Sequence, residues 1–222
     1  NTAEQIIKSN PYVLCIQGVD LSFSRADAVA AKSDIPADSE CRIKAGITYI
    51  LRQNADQGHT CLPLDSLVKT AVSYLDVDEK LIKKVIEDET EEENLYYYDK
   101  HGRRFVMLAD FYKAEDYIAR RLAIMRQISY DNKIDFSEVI DLEEENNGIH
   151  YEKIQRDAIN LALSKGFLVL TGGPGTGKTT TLNAIISLYQ QQGLNVMICA
   201  PTGRAAKRLS DLTGFDAKTI HR

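Results

Sequence analysis

The chain has 222 residues, of which 44% are hydrophobic and 27% charged, and its net charge at neutral pH is −5. This is an ordinary globular composition with room for one large domain or two to three small ones. No run approaches the roughly 18 apolar residues that a transmembrane helix needs, and the first residues lack the features of a signal peptide. These properties exclude a membrane-spanning protein, and we expect a cytoplasmic one. Because the sequence lacks a starting Met and stops just after residue 219, we also expect a fragment.

Charge is unevenly distributed along the chain. Residues 151–222 hold nine Lys and Arg against four Asp and Glu, or +5, whereas the preceding residues hold 18 against 28, or −10. A positive region suits a polyanion, although ATP alone could account for it. The acidic runs at residues 87–93 and 143–145 are expected to be solvated surface. Four cysteines without a C-x-x-C pair predict buried thiols rather than a zinc cluster or disulfides: Cys15, Cys41, Cys61 and Cys199.

The first 58 residues are predicted to be helical. The pair Asn10 and Pro11 ends a short helical pattern, and Ser24 opens a second short helix. A longer helix is predicted over residues 39–57, and Gly58 is a natural stop. Its inward positions follow helical spacing: Ile43, Ile47, Ile50 and Leu51.

Residues 59–110 predict two helices followed by a β-hairpin. One helix follows Pro63, and the next begins behind Asp78 as N-cap. Alternating apolar residues then predict strands at 95–98 and 104–108, joined by a loop that contains Gly102. This order is typical of a winged-helix module. Its tip is basic and could contact a phosphate backbone, although such modules also serve only as protein spacers: Lys100, His101, Arg103 and Arg104.

Residues 111–150 are predicted to form a connecting helix, over 111–127, and an acidic linker, over 128–150. The region 151–222 then predicts a helix over 152–164, a buried strand over 167–171, a loop, and a helix reaching residue 192. The loop matches G-x-x-x-x-G-K-[ST] completely and lies between strand and helix, which is the context of a P-loop. A mere tight turn would not explain the Lys and Thr at its end. The predicted nucleotide-binding residues here are Gly172, Gly173, Pro174, Gly175, Thr176, Gly177, Lys178, Thr179 and Thr180.

The chemistry of phosphate binding requires these residue types. Glycines let consecutive backbone N–H groups turn inward and form an anion nest at the positive end of the following helix. Lys178 is predicted as a catalytic residue that places its ammonium against the β- and γ-phosphates. The Thr179 hydroxyl is the predicted Mg²⁺ ligand and second catalytic residue, and Thr180 is a further phosphate neighbour. The predicted cofactors are therefore ATP and Mg²⁺.

Two neighbouring segments narrow the function. Gln155, on the helix before the loop, has an amide that can donate and accept at once, as the adenine edge requires, although most helix glutamines are solvated surface. A second strand is predicted over residues 195–200, and because it ends in no acid it cannot be a Walker B strand. The basic loop after it suits a phosphodiester backbone, and the alternative is an ordinary helix N-terminus with exposed cations: Thr202, Gly203, Arg204, Lys207 and Arg208.

The combination of Gln155, the loop at 172–181, the segment 200–208 and the segment 219–222 resembles RecD-like superfamily 1 DNA helicases, the exodeoxyribonuclease V alpha-subunit-like family. Residues 10–12 and 58–63 look like the accessory region of the long-form members, which act apart from RecB and RecC. The resemblance covers nearly the whole chain. It departs from the family at residues 20–23, where Asp20, Leu21, Ser22 and Phe23 replace a Gly-Ile-Gly-Phe hairpin. A carboxylate at Asp20 would oppose DNA electrostatically.

The resemblance implies a mixed fold: a helix-hairpin-helix region (1–58), a winged-helix-like module (59–110), the connecting helix and linker (111–150), and the start of an α/β RecA-like P-loop domain (151–222). It implies an ATP-driven motor that moves 5′ to 3′ on single-stranded DNA in repair or recombination. Gln155 would read adenine. The implied DNA contacts are Pro201, Thr202, Gly203, Arg204 and His221.

The implied partner is single-stranded DNA, with duplex DNA at a fork as a second possibility; no membrane and no small-molecule substrate besides the nucleotide are expected. No Walker B acid, arginine finger or second RecA-like domain follows the P-loop within the sequence, so the chain alone is expected to bind ATP weakly or not at all and not to complete hydrolysis. Two alternatives stay open. One is a nucleotide-sensing module that binds DNA or protein without motor activity, and the other is an RNA helicase of the same superfamily.

Overall fold

The computed structural model describes residues 2–15, 21–128 and 136–221. The chain divides into two compact units, Asn1–Ile118 and Ala119–Arg222. Helices dominate both units, and each unit also contains a small sheet, so the fold class is mixed as predicted. Among the described helices, none combines the length and the apolar character needed to cross a bilayer.

The first unit begins with three helices. They are α1 (Thr2–Ser9), α2 (Phe23–Ala30) and α3 (Glu40–Asp56), and 3₁₀ turns occupy Pro11–Cys15 and Ala31–Ser33. The predicted helix end before Pro11 is confirmed, whereas α2 starts at Phe23 behind Ser22 rather than at Ser24. Asp20, where the sequence departs from the family hairpin, lies outside the described residues. The unit continues with β1 (Cys61–Pro63), α4 (Leu64–Leu75), α5 (Glu79–Glu91), β2 (Leu95–Lys100) and β3 (Arg103–Leu108). The next helix, α6 (Ala109–Gln127), begins in the first unit and continues past its last residue, Ile118.

The core of the first unit lies between α3, α4 and α5. Ile43 and Ile47 on α3, and Leu67 on α4, are fully buried there, as helical spacing predicted. Burying each such side chain contributes roughly 1.5–3 kcal/mol. Asp78 is the N-cap of α5, and its side chain accepts a hydrogen bond from the Lys80 N–H at 2.8 Å, which confirms that prediction.

A polar network holds the beginning of this unit against the core. Asp27 on α2 accepts a hydrogen bond from the Tyr12 hydroxyl and forms an ion pair with Arg42 of α3 at 2.7 Å. Arg42 also donates to the Leu75 carbonyl at the end of α4, at 2.9 Å. The hydrogen bond from Arg42 is the main reason that the pKa of Asp27 is lowered. Three helices and the first 3₁₀ turn therefore meet at one guanidinium.

The three-stranded sheet of the first unit has the order β1-β3-β2, with both pairs antiparallel. The predicted hairpin is confirmed, with His101 and Gly102 between its strands at positive φ of 50° and 74°. The strand β1 was not predicted; it has only three residues and pairs Leu62 with Val106. The succession α3, β1, α4, α5, β2, β3 agrees with the order expected of a winged-helix module, an assignment that stays a prediction.

Beyond the end of α6, the described residues of the second unit form six helices and strands. They are α7 (Ser137–Asn147), α8 (Lys153–Ser164), α9 (Lys178–Gln191), β4 (Ile198–Ala200), α10 (Gly203–Thr213) and β5 (Ala217–Thr219). The core of this unit lies between α7, α8 and α9, where Ile140, Ile159 and Leu188 are fully buried. The P-loop therefore connects two packed helices.

The interpretation of residues 128–150 as a linker is wrong for α7. This acidic helix packs on α9, and Glu143 is only 4% exposed because its carboxylate accepts a hydrogen bond from Gln191 at 2.7 Å. The other acidic run is not purely solvated surface either, since Glu89 is buried and its carboxylate lies 2.8 Å from the Lys44 ammonium. Paired carboxylates can be buried where isolated ones cannot, and composition alone does not show the partner.

Two further predictions are corrected. Residues 167–171 form no strand in the described structure, and their side chains at Phe167, Val169 and Leu170 are 39%, 65% and 37% exposed. A strand exists only by pairing with a neighbour, and here β4 pairs with β5 instead. The four cysteines are free as predicted, but none is buried: Cys15, Cys41 and Cys61 are partly exposed, and Cys199 is exposed.

Candidate functional site

The P-loop is the turn that leads into α9. Gly177 is the N-cap of α9, and Lys178 is its first residue. Gly175 and Gly177 have φ of 74° and 75°, a left-handed conformation that other residues adopt only with strain. The loop thereby ends at the N-terminus of a 14-residue helix, which is the positive end of the helix dipole and favours anions.

The Lys178 side chain folds back over the loop. Its ammonium donates to the Gly172 carbonyl at 2.6 Å and to the Gly173 carbonyl, and it lies 3.4 Å from the Thr176 hydroxyl. The Thr176 hydroxyl in turn donates to the Gly173 carbonyl at 2.9 Å. The lysine and the loop thus form one hydrogen-bonded group, with the ammonium inside the turn that a phosphate chain would follow.

Gln155 contacts the loop directly. Its amide nitrogen donates to the Gly177 carbonyl at 3.4 Å, and its amide oxygen accepts from the Glu152 N–H at 2.9 Å. The second bond is half of a capping box at the start of α8, in which Glu152 also accepts from the N–H of Gln155. The structure therefore brings the predicted base-reading residue to the predicted phosphate-binding loop, 22 positions further along the chain.

A cleft of about 550 Å³ lies between the start of α8 and the loop. Gln155, Thr176, Gly177 and Lys178 line it, together with Ile154, which the sequence analysis missed. Ile154 is 82% exposed, an unusual position for a large apolar side chain. The available signal was an isoleucine on the outer face of an amphipathic helix, beside the glutamine already selected.

The loop fits a nucleotide phosphate chain. A side chain at Gly177 would place its Cβ 2.2 Å from the Gln155 amide nitrogen, so that amide would have to move, and the φ of 75° independently favours glycine there. Thr179 and Thr180 are partly exposed on the first turn of α9, whereas Thr181 is buried and donates to the Gly177 carbonyl at 3.1 Å. Thr179 is the residue of this turn whose hydroxyl could hold a metal ion. The described residues contain no cluster of three or more His, Cys, Asp or Glu that could hold one.

The segment predicted to contact DNA forms a second group around α10. Residues 203–213 are helical, so Arg204, Lys207 and Arg208 lie on exposed positions of α10 and not in a loop, which agrees with the alternative interpretation weighed from the sequence. Thr202 is the N-cap, and its hydroxyl accepts from the Ala205 N–H at 3.2 Å. Pro201 and Gly203 are exposed beside it.

The parallel pair β4 and β5 brings His221 to this group. Ala200 is aligned with Thr219, and the Ile220 N–H donates to the Ala200 carbonyl at 3.0 Å. Pro201 and His221 therefore follow the carboxyl ends of neighbouring parallel strands, on one edge of the sheet. That edge is where ligands commonly bind in open α/β sheets.

The start of α8, which carries Gln155, is anchored by charge. Glu144 on α7 accepts from the Tyr151 N–H at 2.6 Å and from Arg156 at 2.7 Å. The Tyr151 N–H is the main reason that the pKa of Glu144 is lowered, and Arg156 adds to it. A hydrogen bond from Arg156 to Asp141 does most to raise the pKa of Arg156. These contacts fix the helix end from which Gln155 reaches the loop.

Two regions of the chain, residues 1–61 and 155–222, are similar to known protein families. Residues 1–61 match the family model of the ATP-dependent RecD2 DNA helicase HHH domain, and residues 155–222 match an AAA domain. The ATP-dependent RecD2 DNA helicase of Deinococcus radiodurans is 58% identical over 55 residues, which are 25% of this chain and 8% of that protein. The RecBCD enzyme subunit RecD of Mycolicibacterium smegmatis is 41% identical over 91 residues, covering 31% of this chain and 16% of the relative.

A third relative comes from outside the bacteria named above. The DNA-binding protein SMUBP-2 of Mus musculus is 41% identical over 69 residues, covering 31% of this chain and 7% of the relative. The chain thus corresponds to a small part of each of these proteins. The chain is therefore similar to the RecD2 helix-hairpin-helix domain at its start and to an AAA domain at residues 155–222, and both regions support a fragment of a RecD-like helicase.

Proposed function

We propose that this chain is the nucleotide-binding and strand-contacting part of an ATP-dependent DNA helicase that translocates 5′ to 3′ on single-stranded DNA and acts in DNA repair or recombination. The relative of Deinococcus radiodurans that is named an ATP-dependent RecD2 DNA helicase supports the activity, and the polarity and pathway rest on family resemblance. A cytoplasmic location and duplex DNA at a fork as a second substrate belong to the same proposal.

One observation carries the proposal: the contact between Gln155 and Gly177. It joins a side chain that can recognise a base to a loop that can bind phosphates, within one cleft. A P-loop alone is shared by kinases, GTPases and transporters, so it does not identify a motor. A glutamine held against the loop adds a means of selecting adenine, and ATP is therefore the proposed nucleotide.

The roles of the loop residues follow from their positions. Lys178 exchanges the Gly172 and Gly173 carbonyls for phosphate oxygens, which are stronger acceptors because they are charged. Backbone N–H groups of residue 173 and of residues 175–180 would bind the remaining oxygens, and Pro174, which has no N–H, would help to shape the turn with Gly173, Gly175 and Thr176. Thr179 is the proposed Mg²⁺ ligand, and a bound Mg²⁺ would offset charge on the β- and γ-phosphates.

The DNA contacts are proposed for the sheet edge. Pro201, Thr202, Gly203 and Arg204 at the start of α10, and His221 after β5, would bind the phosphodiester backbone of one strand. Lys207 and Arg208 lie further along the same exposed helix and add positive charge. Ala206 is buried on the opposite side, so α10 has a buried side and an exposed side that carries the cations.

The test is ATP hydrolysis measured with and without single-stranded DNA, in this chain and in a version extended along the natural gene. We expect DNA-stimulated hydrolysis in the extended protein, its loss in Lys178→Ala, and little or no hydrolysis by the 222-residue chain. Arg204→Ala should weaken DNA stimulation while leaving basal hydrolysis intact. Strand displacement on substrates with a 5′ or a 3′ overhang then tests the polarity.

The alternative is a nucleotide-sensing module that binds DNA or protein without motor activity. Hydrolysis that is indifferent to DNA, or absent from the extended protein, would contradict the helicase proposal and favour this module. Stimulation by RNA but not by DNA would identify the third possibility, an RNA helicase.

A further inference from the structure

The hairpin of the first unit has two faces of different character. Register pairs Leu95 with Leu108 and Tyr97 with Val106 on one face, and Leu95, Val106 and Leu108 are buried in the core. The other face carries the pairs Tyr98 with Phe105 and Lys100 with Arg103, nearer the tip. We name this second set, Tyr98, Lys100, Arg103 and Phe105, the outer hairpin face.

Positive charge is neutralised on the inner side of the tip and left unpaired on the outer hairpin face. Arg104 donates two hydrogen bonds to Asp99, at 3.0 and 3.2 Å, and its guanidinium lies 4.8 Å from the centre of the Tyr97 ring. Lys100 and Arg103 are exposed, and neither forms an ion pair within the described ranges. The two cations are directly cross-strand neighbours, so they present a local charge of +2.

Aromatic rings lie directly beside these cations. Tyr98 is 43% exposed, and its ring centre lies 6.4 Å from that of Phe105. Behind it on the same strand, Tyr96 stacks on Tyr112 of α6 with ring centres 4.1 Å apart, which fixes the base of the hairpin. The Tyr98 ring is therefore held in place by its strand while one side stays open to solvent.

We propose that the outer hairpin face binds single-stranded DNA, with Lys100 and Arg103 on phosphates and Tyr98 stacked on a base. Cations that follow the backbone and rings that stack on bases are the two elements of single-strand binding surfaces. A duplex hides the faces of its bases, so the exposed ring favours a single strand over a duplex. The inference deepens the DNA-binding function proposed above by adding a contact in the first unit, and it requires neither ATP nor the P-loop.

The experiment uses the 222-residue chain with Lys178→Ala, in the absence of nucleotide, and a labelled oligothymidine strand of about 16 nucleotides. Fluorescence anisotropy gives the affinity at several salt concentrations. Tyr98→Ala should weaken binding by about fivefold or more with an unchanged salt slope, whereas Tyr98→Phe should keep the affinity. Lys100→Ala combined with Arg103→Ala should reduce the slope of log affinity against log salt by about 1.4.

Matched controls separate this surface from general charge or ring effects. Lys69→Ala combined with Lys80→Ala removes two exposed cations from α4 and α5, and Tyr117→Ala removes a 64% exposed ring from α6. Circular dichroism verifies that each variant is folded, and the outer residues are exposed enough to be replaced without loss of core. Equal losses in the control variants, no binding by the parent chain, or stronger binding to a duplex that ignores Tyr98→Ala would each overturn the proposal. The ATPase test of the previous section is unaffected by any of these results.

Discussion

Replacing Gly177 with alanine tests how Gln155 holds the P-loop. Two costs are expected. The first is backbone strain, because φ at Gly177 is 75°, and a non-glycine residue in the left-handed region costs about 1–2 kcal/mol. The second is local, because the new Cβ would lie 2.2 Å from the Gln155 amide nitrogen, so that side chain must move. Moving it removes the bond to the Gly177 carbonyl and disturbs the bond to Glu152, a loss of about 1 kcal/mol.

Gly175→Ala is the matched control. Its φ is 74°, yet a Cβ there meets nothing within 4 Å, so it carries the strain without the collision. Calorimetric unfolding of the second unit should therefore show Gly177→Ala melting lower than Gly175→Ala by roughly 4–8 °C. In a Gln155→Ala background the two glycine variants should melt together, because no side chain remains to be displaced.

Equal melting temperatures of the two glycine variants in the presence of Gln155 would contradict this expectation. A difference that persists in the Gln155→Ala background would contradict it as well. In the first case the glutamine does not support the loop, and in the second the difference arises from another contact of Gly177. Either result would remove the observation on which adenine selection was proposed.

Three further predictions concern single residues in the two units: Ile154 in the cleft, and Glu144 and Asp27 in their hydrogen-bonded networks. Ile154→Asn should weaken binding of a fluorescent ATP analogue by about fivefold because it removes apolar area from the cleft, while Leu161→Asn, a 43% exposed position on the same helix, should not. Glu144→Gln should reduce the loss of stability of the second unit at acidic pH. Because the folded pKa of Glu144 is lowered, its carboxylate stabilises the folded state above the ordinary glutamate pKa of about 4.3, and this contribution is lost as pH falls through the folded pKa. Thermal melts at decreasing pH should therefore show a larger loss of stability in the wild type than in the variant. Asp27→Asn should destabilise the first unit by about 1–2 kcal/mol in chemical denaturation, since it weakens the contacts with Arg42 and Tyr12, and Asp38→Asn on an exposed neighbouring turn should have no effect.

Local patterns in the sequence were enough to predict most helices and the hairpin. Helical spacing identified α3 through Ile43 and Ile47, and the Asp78 cap identified the start of α5. The complete P-loop motif identified its own conformation, because glycines at 175 and 177 permit the left-handed turn and Lys178 begins the helix. Each of these signals lies within a few residues of the structure that it predicts.

Features that depend on distant partners were not predictable in this way. The apolar run at 167–171 has strand composition, but pairing decides whether a strand forms, and β4 pairs with β5. Residues 137–147 have an acidic composition, which did not indicate a packed helix. The packing depends on a distant partner, because Glu143 accepts a hydrogen bond from Gln191, 48 positions away. Ile154 was missed for the same reason, because only the fold places it beside the loop.

The bonding of Lys178 to carbonyl oxygens bears on which nucleotides the loop can distinguish. Its ammonium is already satisfied by neutral acceptors of the loop, so a ligand gains only the difference between those acceptors and its own. In the proposed ATP-binding role, a monophosphate has fewer charged oxygens to offer the lysine and would gain less from the exchange. A triphosphate offers several charged oxygens and gains most. In the proposed nucleotide site, this position of the Lys178 side chain would therefore favour a nucleoside triphosphate over nucleotides with fewer phosphates.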